Sequence, residues 1–326
     1  MIGAMSELLN IRSLTVELPT AAGWLRPVNV VTLRIAPGEA LGLVGESGSG
    51  KTMLSLALMG LLPPGARVSG EASLNAADGQ RKNLTNLSEP EWREVRGREI
   101  AMIFQEPMTS LNPVLRIGAQ IAEAIWAHEP RLARSVVDRR VIAALEHAAV
   151  PEPEVRAKQF PHQLSGGLRQ RAMIAMALAA RPKLLIADEP TTALDVTVQK
   201  QILELLDGLR REMELGLLFI THDLGVVAKV AERIAVMYAG RIVEEGPAGD
   251  VLMQPLHPYT QGLLAASPTL ERGKLSPIPG TVPQLTELPP GCAFAPRCAY
   301  RRDDCERGVP EFRPAQSGHS ARCVLL

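Results

Sequence analysis

The sequence predicts an α/β protein, and three observations carry that expectation. Short apolar runs of buried-strand character recur along the chain: "EALGLVG", "KLLIAD" and "GLLFITHD". Each is followed by a helix-like segment, and such alternation predicts parallel strands. From roughly Leu87 to Ala180 the pattern leans helical instead. There "RIGAQIAEAIWAHE" and "RSVVDRRVIAALEHAAV" place apolar residues at i, i+3 and i+4, which predicts a helical subdomain inserted at about 106–180.

The elements follow in order. "LLNIRSLTVEL" and "VNVVTLRI" read as N-terminal strands, an antiparallel β part, the second ended by the turn signal "APG". "EALGLVG" stops at a Gly-rich loop, and "KTMLSLALMGLL" continues as a helix until "PPG". "RIAVMYAGRIVEEG" reads as a closing hairpin turning at Ala239-Gly240. Composition changes near Pro255, and prolines recur through "SPIPGTVPQLTELPPG". The expected division is therefore residues 1–253 as one domain and 254–326 as a Pro-rich linker with a small Cys-containing extension.

Of 326 residues, 46% are hydrophobic but only 3% aromatic, so Leu, Ile, Val, Ala and 11 Met must fill the core. Lys+Arg and Asp+Glu each number 35, and the zero net charge gives no support to a nucleic-acid partner. "MIGAMSELLN" has no basic n-region and no long apolar stretch. No run reaches about 18 apolar residues, so a cytoplasmic location is expected.

"GESGSGKT", Gly45 to Thr52, fits G-x-x-x-x-G-K-[ST] between a strand and a helix. Gly45, Glu46, Ser47, Gly48, Ser49 and Gly50 would turn backbone N–H groups around a β-phosphate, at the positive end of the following helix. Lys51 would reach the β- and γ-phosphates, and the Thr52 hydroxyl would ligate Mg²⁺. The strand "LLIAD" delivers Asp188 to the Mg²⁺ shell, and Glu189 beside it can polarise an attacking water. ATP and Mg²⁺ are the expected cofactors.

"LSGGLRQR" places Ser165, Gly166 and Gly167 at the start of a helix, where a hydroxyl and free N–H groups face an anion. This motif resembles the signature of ATP-binding-cassette (ABC) ATPases. The resemblance, over about residues 8 to 250, implies a P-loop NTPase (RecA-like) fold in which the signature binds the γ-phosphate held by an opposite subunit. Further elements agree in order. Gln105 in "MIFQEP" resembles the glutamine that senses Mg²⁺ and the attacking water. "EPMTSLNP" lies where the family contacts its membrane subunit. Ala193 to Asp195 resembles the loop that crosses the dimer interface. His222 resembles the switch histidine on the γ-phosphate. Two departures stand out: Leu18 lies where an adenine-stacking aromatic is usual, with Trp24 nearby as a substitute, and Leu168 replaces the commoner Gln or Met of the signature.

Within the family, "LSGGLRQRAMIAMALAARPKLLIADEPTTALDVTVQ", "FQEPMTSLNPV" and "LHPYTQGLL" are similar to the D-type ATPase of dipeptide and oligopeptide importers. That resemblance implies a second, F-type ATPase, two permease subunits, an external substrate-binding protein, and a peripheral place on the cytoplasmic face of the membrane. Nickel and other small-solute importers share much of this wording. A soluble, non-transport cassette is the alternative from another class.

All four cysteines, Cys292, Cys298, Cys305 and Cys323, lie in the tail. Their spacing matches neither the close zinc pattern nor the tight ferredoxin run, so iron–sulfur, zinc and free or paired thiols all stay open. The importer resemblance implies a [4Fe–4S] cluster. His319 is a further candidate ligand, and Pro296 and Pro310 would stiffen the loops.

Overall fold

The computed structural model describes residues 7–21, 23–76, 79–105, 110–192, 194–267, 276–316 and 318–326. Its strands are β1 (Leu9–Thr20), β2 (Gly23–Ile35), β3 (Ala40–Val44), β4 (Arg67–Asn75), β5 (Arg81–Asn83), β6 (Ile100–Ile103), β7 (Leu184–Asp188), β8 (Gly216–Thr221), β9 (Arg233–Tyr238), β10 (Arg241–Pro247), β11 (Arg313–Gln316) and β12 (His319–Ala321). Among the described residues they form two sheets. The smaller is antiparallel, ordered β2-β1-β4-β5, as the N-terminal patterns predict. The larger runs β11-β12-β10-β9-β3-β8-β7-β6.

In the larger sheet, β9, β3, β8, β7 and β6 are mutually parallel. Apolar runs suit such strands because both faces are covered. Alternate residues of β3 and β8 serve two different cores. Val44, Leu217 and Phe219 join the cluster under the helices, while Leu41, Leu43, Leu218 and Ile220 join the one shared with β1, β2 and β4. Phe219 is fully buried and is one of few large aromatic fillers.

Helix α1 (Lys51–Leu58) follows β3, and α2 (Glu89–Val95) precedes β6. Three longer helices build the subdomain: α3 (Ile117–Trp126), α4 (Arg134–His147) and α5 (Gly166–Leu178). Ile117, Ile121 and Ile125 bury one face of α3, and Val137, Val141 and Leu145 one face of α4. The i, i+4 spacing places each set on a single stripe. The segment read as helix-leaning from Leu87 also contains β6. "IAMI" is too short for periodicity to separate strand from helix, and only pairing with β7 decides it.

Helix α6 (Val196–Met213) links β7 to β8, with Asp195 accepting the N–H groups of Thr197 and Val198 as its cap. The predicted hairpin joins β9 to β10 antiparallel through Ala239 (φ 45°) and Gly240 (φ 84°). Short α7 (Ala248–Met253) and α8 (Pro258–Ala266) follow.

The tail does not stand apart from the main sheet, because β12 pairs antiparallel with β10. Glu244, with no exposed surface, ties that junction together. It accepts the Leu256 and His257 N–H groups and bonds His319 Nε2 at 2.8 Å. A carboxylate this deep persists because its oxygens are satisfied.

Candidate functional site

The parallel strands bring the predicted residues together. Register places Val44 beside Thr221, Asp188 beside Ile220, and Ile103 beside Ala187. The carboxyl ends of β3, β8, β7 and β6 are therefore level. The phosphate loop leaves β3, Asp188 and Glu189 end β7, His222 follows β8, and Gln105 follows β6. Crevices beyond such strand ends are where α/β sheets bind ligands.

The loop's conformation requires its glycines. Gly50 sits at φ 106° as the cap of α1, and an added Cβ would stand 1.9 Å from Pro27 O. Gly45 has φ 159°, and its Cβ would meet Met237 O at 2.2 Å. Ser47 and Gly48 are exposed at the crest, and buried Ser49 is fastened by its carbonyl to Gly240 N–H. Lys51 Nζ caps the loop from inside, donating to Gly45 O at 2.7 Å and Glu46 O at 3.0 Å. Burial lowers its pKa, against the opposing charges of Glu189, Asp188 and Glu46.

Glu189 is the hub. Its Oε2 accepts Gln105 Nε2 at 3.1 Å and Thr192 Oγ1 at 2.8 Å, and its Oε1 lies 3.1 Å from His222 Nδ1. Its backbone is left-handed, with φ 48°, an uncommon state for a residue with a long side chain. Burial alone would raise the carboxyl's pKa, but the bonds from His222 and Thr192 and the charge of Lys51 outweigh it, and the group falls below its ordinary value. Asp188 goes the other way: burial raises it, against a hydrogen bond from Thr52. Asp188 Oδ1 is buried without a hydrogen-bond partner among the described residues. An orphaned carboxylate oxygen beside a threonine hydroxyl fits a hard divalent cation, which one or two carboxylates hold together with substrate phosphates.

The signature lies elsewhere on the chain. Ser165 Oγ accepts Leu168 N–H at 3.4 Å and caps α5, and Ser165 and Gly166 are exposed. Trp24 lies on β2, 43% exposed, with the Arg67 guanidinium 3.8 Å from its ring centroid. Leu18 pairs with Leu25. Ala193 and residues 106–109 of the predicted membrane-subunit contact lie outside the described residues.

All four cysteines line one small apolar pocket with His257, Phe294 and Tyr300, and all are free thiols. Burial pushes Cys292 up to about 11, and raises Cys298 and Cys323 as well. Among the described residues no three His, Cys, Asp or Glu side chains are grouped so as to hold a metal ion. His319 is engaged by Glu244 instead.

Sequence reasoning missed Thr192, whose only signal was its place three residues after Glu189. It also missed Tyr259 and Arg297, which touch the phosphate loop from far along the chain.

A phosphate loop and an acid pair meeting across the carboxyl ends of neighbouring parallel strands define a P-loop NTPase. Comparison with known proteins narrows that class. The family described as "ABC transporter" matches residues 28–192, and "Oligopeptide/dipeptide transporter, C-terminal region" matches residues 243–305. The chain belongs to the ABC transporter family. It is 50% identical to the oligopeptide transport ATP-binding protein OppD of Bacillus subtilis, over 99% of this chain and 90% of that one. It is 47% identical to OppD of Escherichia coli, over 95% and 91%. A solved dimeric ATP-binding cassette, in a post-hydrolysis state bound to ADP and phosphate, superposes with a TM-score of 0.64 at 28% identity, covering 74% of this chain and 98% of that one.

Proposed function

We propose that this chain is the ATP-hydrolysing, D-type subunit of a peptide importer. The observation that carries the reading is the convergence of Gln105, Thr192 and His222 on Glu189, at the carboxyl end of the parallel strands where Lys51 and Asp188 also lie. Identity of 45–50% to subunits named for dipeptide and oligopeptide transport supports the substrate class.

In this reading Lys51 exchanges the loop carbonyls it holds for phosphate oxygens of ATP. Thr52, Asp188 and Gln105 would hold Mg²⁺, which when bound neutralises phosphate charge. Glu189, kept ionised by its neighbours, takes a proton from water as the water oxygen attacks the γ-phosphorus in line. The bond to the bridging oxygen breaks and ADP leaves. His222 holds the Glu189 carboxylate in place and reaches toward the γ-phosphate.

Exposed Ser165 and Gly166, with half-buried Gly167, would meet ATP held by an F-type ATPase, with Ala193–Asp195 crossing the same interface. Trp24 would take adenine on the face opposite Arg67. ATP then favours the closed pair, and hydrolysis loosens it. Two permease subunits would turn that cycle into alternating access for solute from an external binding protein. No helix of the described residues is long and apolar enough to cross a membrane, and the chain would sit peripherally against the permease subunits, on the cytoplasmic face. The cassette would span 1–253, with the linker and extension at 254–326.

Cys292, Cys298, Cys305 and Cys323 would hold a [4Fe–4S] cluster, which when bound crosslinks the tail through thiolates. Four soft donors lining one pocket support a thiolate-held metal group, with zinc as the alternative. The whole reading is tested by reconstituting the importer in vesicles. ATP-driven peptide accumulation that Lys51→Ala abolishes is expected, and accumulation that persists in Lys51→Ala would contradict it.

A further inference from the structure

The C-terminal extension grips the phosphate loop at one residue. Arg297 donates through Nη1 to Glu46 Oε2 at 2.7 Å and through Nη2 to Oε1 at 3.0 Å. A planar fork thus meets a planar carboxylate, the strongest geometry for such a pair. The Arg297 side chain is 4% exposed and that of Glu46 29%. Arg297 Nε donates to Pro279 O at 2.9 Å, so the linker fixes the guanidinium from behind. Independently, Tyr259 OH accepts the Glu46 N–H at 2.8 Å. Tyr259, Tyr238 and Phe294 pack with ring centroids 4.5–5.3 Å apart and brace both contacts. In a chain with few aromatic residues, three gather here.

The charge at this point calls for explanation. Glu46 is the second residue of a loop that receives anionic phosphates. An unbalanced carboxylate there would oppose them through a partly buried path of low dielectric. Lys51 feels this charge only as one of three, after those of Glu189 and Asp188, and its ammonium bonds the Glu46 carbonyl rather than the carboxylate. Arg297 supplies the counter-charge and sets the carboxylate's direction.

We propose that Arg297 is a positioning residue for ATP: it neutralises Glu46 and, with Tyr259, holds the phosphate loop in its receptive form, so the extension completes the nucleotide site. This rests on the reading of Gly45–Thr52 as the phosphate site. The coupling is reciprocal, so bound nucleotide also tightens the extension on the cassette.

The test is ATP turnover of the assembled importer against ATP concentration. Arg297→Gln keeps a donor for Pro279 O and loses the charge. It should raise the ATP KM about tenfold while kcat changes far less. Adding Glu46→Gln removes the stranded negative charge and should bring KM back to within about threefold of the parent. A merely structural role would lower the active fraction, and hence kcat, without moving KM. An unchanged KM in Arg297→Gln, or a double variant no better than the single, overturns the proposal. If Arg297→Gln does not assemble, Arg297→Lys decides: retained charge predicts a KM within about threefold, and a tenfold rise overturns it. Lys51→Ala run alongside separates the two readings. If it turns over ATP normally, the ATP-site reading fails; if it is inactive while Arg297→Gln behaves as the parent, only this inference fails.

Discussion

The His222 imidazole lies 3.1 Å from the Glu189 carboxylate, although 33 positions separate them in the chain. Adjacent parallel strands create the contact: β7 ends at Asp188, β8 ends at Thr221, and Glu189 N–H bonds Ile220 O. Removing the imidazole frees the carboxylate to turn away. His222→Ala should lower ATP turnover about a hundredfold with ATP affinity changed little. Single-turnover hydrolysis and equilibrium nucleotide binding on the same preparation check it.

Gly50→Ala should abolish nucleotide binding. Its Cβ would collide with Pro27 O, and its φ of 106° is one that alanine rarely adopts. The loop must open, at a cost of about 1–3 kcal/mol in stability. Fluorescent ATP binding and thermal denaturation read the two effects.

Ser165→Ala should leave ATP affinity of the isolated chain unchanged, since the exposed hydroxyl caps α5 away from this chain's own phosphate loop. Turnover of the assembled pair should fall about tenfold or more, as one donor to the transition-state charge is lost. Equal turnover in the variant pair would contradict the shared-site reading.

Protein prepared without oxygen should contain iron and acid-labile sulfide, and replacing all four cysteines by serine should remove both. Zinc without sulfide would replace the cluster by a single-ion site. Loading releases the thiol protons to solvent and ties the thiolates together, so thermal stability should rise with metal content.

Phe219 has no exposed surface and lies on β8, the middle one of the five parallel strands. Phe219→Ala should cost about 3–5 kcal/mol of stability, read by denaturant unfolding.

Much of the site was legible because it is local. Gly45–Thr52 and Asp188–Glu189 each announce themselves within a few residues, and apolar runs on either side fix their strands. Order along the chain sufficed for Gln105 and His222 once the family resemblance was recognised. What stayed hidden is non-local. Arg297 carries no periodic or spacing signal, and its partner Glu46 lies 251 positions away. The pairing of β12 with β10 was hidden for the same reason, since three residues, "HSA", show no strand pattern on their own. Trp24 was legible as an aromatic but not in its orientation, because Arg67 reaches its ring from another strand.

Glu189→Gln in the assembled complex tests the central claim most directly. The amide keeps the shape and one accepting oxygen for Gln105 and Thr192 but cannot take a proton from water. Turnover should fall by about a hundredfold or more, and ATP should stay bound and hold the pair closed. Near-parental turnover by that variant would contradict the account.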